Sequence, residues 1–171
     1  MKNRQKIFLA CEAGRMKKNR LRKAFDNVFS NRIWRKSYGD SLPEKGPDAE
    51  KLHVQLCELM RNGCALFDLT GRKNKKNNGL NLNVLFELGL ALGMDIPTFA
   101  LTDEHVLTYR DIDKRASDLK GCGAYSYKDK ETLLGHLEEA KDHFLTETRK
   151  RLESAGRQKS LDRGRRSTLK K

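Results

Sequence analysis

One carboxylate, Glu87, interrupts the apolar run NLNVLFELGLALGM (81 to 94) in a chain whose formal net charge is +13. The run follows a polar loop bounded by glycine, GRKNKKNNG (71 to 79). Its spacing predicts a helix that starts near Asn81 to Asn83 and carries Glu87 in its first turn. Free backbone N–H groups and the positive end of the helix dipole lie there, and that field favours an ionised carboxylate. An ionised carboxylate at a ligand-binding edge can stabilise a sugar carbon that becomes cationic as its bond to a base breaks, or attack that carbon directly. On spacing alone this chemistry stands level with a purely structural role, in which Glu87 only complements the dipole.

Other residues gather near the same edge if the apolar runs are strands. In an open α/β sheet, ligands bind outside the carboxyl ends of the strands. Three loops occupy that position: CEAGR (11 to 15), DLTGRKNKKNNGLN (68 to 81) and LTDEH (101 to 105). The first brings Cys11, Glu12, Gly14 and Arg15, and Glu12 is placed to reach ribose hydroxyls. The second brings Asp68, Thr70 and Gly71 and ends at Asn81 and Asn83. Arg15, Arg72, Lys73, Lys75 and Lys76 suit an anionic ligand, although a run of Lys and Asn is also what a flexible charged insertion contains.

The elements that must position these residues follow from apolar patterning. KIFLAC (6 to 11), CALFDLT (64 to 70) and IPTFALT (96 to 102) read as buried strands, with GAYSY (123 to 127) a weaker fourth. Their continuous apolarity is the habit of parallel strands covered on both faces. Helical spacing links Leu21, Ala24, Phe25, Val28 and Phe29; Leu52, Leu56, Leu59 and Met60; Val84, Leu88, Ala91 and Leu92; and Leu133, Leu137, Ala140 and Phe144, with Asp129 as a cap. The alternation predicts a doubly wound, mostly parallel α/β domain over residues 1–148. IWRKSY (33 to 38) fits either a short strand or a loop.

The segment LFDLTGRKNKKNNGLNLNVLFELGLALGMDIPTFAL resembles the central motif of the nucleoside 2-deoxyribosyltransferase-like and bacterial TIR-like nucleotide-binding families. In these, a strand ending Asp-Leu-Thr leads to Asn-x-Asn-Val-x-x-Glu-Leu-Gly and then to a Pro-preceded strand. Here these are Asp68 to Thr70, Asn81, Asn83, Val84, Glu87, Leu88, Gly89 and Pro97. SDLKGCGAYSY (117 to 127) is similar to the approach to those families' last strand. The resemblance implies a flavodoxin-like fold, with Glu87 as the catalytic glutamate acting on the N-glycosidic bond of a nucleoside, NAD or a related nucleotide. The activity would be that of an NAD nucleosidase-like or deoxyribosyltransferase-like enzyme. It implies that Asp68, Asn81 and Asn83 line the pocket, that Gly89 lets the helix pack closely on its strand, and that the chain works as an assembly of identical copies. The same motif also serves members that only bind nucleotides, so a nucleotide-sensing module is the competing expectation.

Composition narrows the rest. At 171 residues and 37% hydrophobic, the chain has material for one core. No run is long enough to span a bilayer, and the N-terminal apolar stretch is too short for a signal peptide, so a cytoplasmic protein without membrane contact is expected. Cys11, Cys57, Cys64 and Cys122 form no CxxC pair, and His53, His105, His136 and His143 show no ligand spacing. Reduced thiols, no metal and no resident cofactor are expected. No G-x-G-x-x-G follows a strand and no P-loop is present, which counts against hydride transfer and ATP hydrolysis. The basic tail, residues 149–171, holds ten Lys or Arg against Glu153 and Asp162. It is expected to extend the last helix by a turn or two, to be disordered beyond, and to offer non-specific contact to nucleic acid.

Overall fold

The computed structural model describes residues 4–12, 20–38, 57, 60, 63–71, 79–106 and 124–168, the side chains of the last segment only as far as 155 and at 157. Five strands form one all-parallel sheet in the order β2-β1-β3-β4-β5: β1 Gln5–Ala10, β2 Trp34–Tyr38, β3 Gly63–Asp68, β4 Thr98–Asp103 and β5 Ala124–Tyr127. Helices α1 (Arg20–Val28), α2 (Leu82–Gly93) and α3 (Lys130–Thr168) flank it. This is the doubly wound, flavodoxin-type strand order, and every pairing is parallel. Its topological switch point falls between β1 and β3, where the chain turns from building one side of the sheet to building the other.

The apolar strands are continuous because both faces of the sheet are covered. Alternate side chains point to opposite faces. Ile7, Leu9, Cys64, Leu66, Phe99 and Leu101 pack with Leu21, Phe25 and Phe29 of the α1 region and with Leu133, Leu137, Ala140 and Phe144 of α3. Phe8, Ala10, Ala65, Phe67 and Ala100 face the other way, against Val84, Leu88 and Ala91 of α2. The stripes predicted for the three helices are the buried ones, except that Val28 is half-buried and Leu92 is exposed.

IWRKSY resolves as the edge strand β2. Trp34 and Tyr38 join the α1–α3 core, and Lys36 and Tyr38 reach the Asp26 carboxylate of α1 at 2.7 and 2.6 Å. Its charged and hydroxyl residues hide an alternation that holds only at Trp34 and Tyr38. The helical pattern 52–60 lies mostly outside the described residues, and Cys57 and Met60 within it are helical. Two expectations need correction. Backbone of α3 is helical to Thr168, well past the turn or two expected beyond Arg149. Gly89 does not ease packing against a strand: it is exposed, and a Cβ built on it meets nothing within 4 Å.

Candidate functional site

The residues assembled at the carboxyl rim are held by a neck between β3 and α2. The Asn81 N–H donates to the Leu69 carbonyl at 2.9 Å, the Gly71 N–H donates to the Gly79 carbonyl at 2.7 Å, and Thr70 and Leu80 form an isolated antiparallel bridge. The 71–79 loop therefore leaves and returns at one point, and α2 begins beside the end of β3. Glycine is needed at that closure. Gly79 has φ +88°, and an added Cβ would lie 2.8 Å from the carbonyl oxygen of Val106, in the turn after β4. At Gly71 an added Cβ would press on the Asn81 backbone at 3.1 Å.

Asn81 is the N-cap of α2: its side-chain oxygen accepts from the N–H groups of Asn83 and Val84 at 3.1 and 3.3 Å. That oxygen is committed to the helix rather than left for a ligand. Asn83, one turn ahead of Glu87, is exposed at the rim.

Glu87 departs from the sequence expectation in position and in charge. With the helix starting at Leu82 it is the sixth helical residue, in the second turn, and the first turn contains no acid. The dipole effect fades within the first turn. Glu87 lies at the edge of the sheet-facing stripe Val84, Leu88, Ala91 and is half-buried, and that burial pushes its carboxyl from an ordinary 4.5 up to about 7. Desolvation disfavours the charged form, and no described cation offsets it. At neutral pH the group therefore divides between acid and carboxylate rather than being held ionised by the helix.

The remaining predicted residues separate by what they bond. Asp68 is fully buried; it accepts from the Thr70 N–H at 3.1 Å and lies 3.5 Å from the Tyr127 hydroxyl. By alternation it faces the α1–α3 side with Leu66, whereas Glu87 belongs to the α2 side. The two acids are thus on opposite sides of the sheet layer. Thr70, also fully buried, accepts from the Asp103 N–H through its hydroxyl at 2.9 Å. Further bonds, Thr102 to Ser126 at 2.9 Å and the Glu104 N–H to the Tyr127 carbonyl at 2.9 Å, tie the ends of β4 and β5. Sequence reasoning missed Tyr127 and Asp103 as partners in this network, because their contacts span 59 and 33 residues. Cys11 is buried in the α1–α3 core and Glu12 is half-buried just beyond β1, at the switch point. Gly14, Arg15 and the cations of residues 72–76 lie outside the described residues.

The rim therefore has two unlike halves. Over β3, β4 and β5 its polar groups are bonded to one another. Over β1, β3 and the start of α2 lie Glu12, Asn83 and the partly protonated Glu87.

No protein-family model matches the chain, and no curated protein matches it. Among solved structures it is similar to the crystal structure of a conserved protein from Enterococcus faecalis V583, at 14% identity and a TM-score of 0.55, over 80% of this chain and 99% of that one. That likeness carries the fold and nothing further. Among the described residues, no helix is long and apolar enough to cross a membrane.

Proposed function

We propose that the chain binds a nucleoside or nucleotide, NAD among the candidates, at the switch-point half of the rim and cleaves or transfers at its N-glycosidic bond through Glu87. The observation that carries this reading is the half-buried Glu87 carboxyl, raised to about 7, on the helix that opens at the ligand-binding edge of a doubly wound sheet. A carboxyl with that affinity for protons ionises readily near neutral pH and is only weakly solvated when it does. As the C1′–N bond breaks, the base leaves with the bonding pair and the sugar carbon becomes cationic. An adjacent Glu87 carboxylate either stabilises that cation until water adds or forms a C1′–O bond with it, which water or a second base then displaces. Asn83, one turn earlier and exposed, would orient sugar hydroxyls, with Glu12 contributing from the end of β1.

A second reading is a module that binds such a ligand without turning it over. It is favoured by the engagement of Asp68, Thr70 and Asn81 in the protein's own hydrogen bonds, which leaves few polar groups among the described residues to drive chemistry. Glu87→Gln separates the two readings. Incubation with NAD and a panel of nucleosides and nucleoside monophosphates, at several protein concentrations, is expected to release free base from one of them with wild type and not with the variant. Absence of base with every substrate, together with ligand-dependent melting shifts shared by both proteins, would favour the binding module.

A further inference from the structure

Helix α2 is apolar on its outer face as well as its inner one. Leu82 is 53% exposed and Phe86 63% exposed, and one and two turns further on the same stripe continues as Gly89 and Gly93. A Cβ at either glycine would meet nothing within 4 Å. Glu87 is the helix's sole charged residue, and it lies towards the sheet. A helix apolar all round is normally covered all round.

We infer that this face pairs with the same face of a second copy, α2 against α2 in antiparallel sense. Two features commit to that occupant. Bulky and small positions share one stripe in a self-complementary order. A two-fold axis passing between Glu87 and Leu88 sets Leu82 opposite the partner's Gly93 and Phe86 opposite the partner's Gly89, so each aromatic ring lies over a bare stretch of backbone, as an isologous contact requires. Charge points the same way. Two copies of a +13 chain repel on balance, and the described residues of this face place no cation against their counterparts. Size sets the strength: α2 is about 18 Å long, and one helix face buries well under the roughly 800 Å² per partner of a standard interface. The pair is therefore weak and concentration-dependent, and it strengthens with salt as the repulsion is screened.

The test is sedimentation velocity on the full chain from micromolar to millimolar protein at low and high salt, with Phe86→Glu and Gly89→Leu alongside. Wild type is expected to move from monomer towards dimer with concentration, more so at high salt. Both variants, checked for folding by thermal melting, should weaken the association at least ten-fold. Gly89→Leu enters open space within the monomer, so it keeps the test meaningful if Phe86→Glu proves unstable. Oxidising a mixture of Leu82→Cys and Gly93→Cys chains should give the mixed 82-to-93 disulfide in preference to either homodimer. A wild type that stays monomeric throughout would overturn the proposal. So would association that both variants leave intact, or association that salt abolishes, which is the behaviour of chains bridged by nucleic acid.

Discussion

At the scale of single residues, the consequences of burying Glu87 can be measured without a substrate. Its folded-state affinity for protons exceeds the unfolded one, from 4.5 up to about 7. The protonated form is the one the fold accommodates, so the favourable contribution is complete below about pH 4.5 and is lost as the pH rises to 7. Well above that the ionised group costs about 3 kcal/mol. Glu87→Gln should therefore melt close to wild type at pH 5 and above it at pH 8; a difference that does not vary with pH would show that Glu87 is ionised in the fold. The buried Thr70 hydroxyl makes a second prediction. Thr70→Val keeps the shape but leaves the Asp103 N–H without its acceptor, and urea denaturation should record a loss of about 1 to 3 kcal/mol. Little of this was legible in the sequence. The type and approximate place of Glu87 were readable, but whether dipole or burial sets its charge depends on the turn it occupies and on what packs beside it. The approach of Tyr127 to Asp68 was not legible, because the pairing of β4 and β5 alone brings the two together.

At the scale of elements, the four glycines around α2 divide by what surrounds them. Gly79→Ala puts a side chain where φ is +88° and drives its Cβ against the Val106 carbonyl, so the neck should lose more than about 1 kcal/mol. Gly89→Ala faces open space and gains helix propensity, so it should raise stability by up to about 1 kcal/mol. The cap predicts likewise: Asn81→Ala should cost about 1 kcal/mol in thermal or chemical denaturation, through loss of the acceptor for the Asn83 and Val84 N–H groups. Elements were the most legible level. Apolar runs of six residues and clean 3.6-residue stripes report burial directly, which is how β1, β3, β4 and the three helices could be read. The strand β2 could not be settled because it lies at the sheet edge, where Lys36 and Ser37 need not be apolar. The end of α3 was misjudged because apolar periodicity stops where the helix leaves the core, and a helix can continue without it.

At the scale of the whole molecule, the fold gathers the candidate site at one end of the sheet. The switch point between β1 and β3, the neck at Thr70 and Leu80 and the opening of α2 all meet on the same rim. The doubly wound class was legible because strand and helix patterns alternate along the chain, whereas strand order came only with the resemblance to a flavodoxin-like fold, since pairing between β1 and β3 spans more than fifty residues. On the proposed reading Glu87, as a carboxylate, breaks an N-glycosidic bond. The measurement that bears on it most directly is the rate of free-base release, followed chromatographically from pH 5 to pH 9 with wild type and Glu87→Gln on NAD and the nucleoside panel. Release by wild type is expected to rise through about pH 7 as Glu87 ionises and then level off, with no release by the variant at any pH. Release by Glu87→Gln at the wild-type rate, or no release from any substrate at any pH, would contradict it.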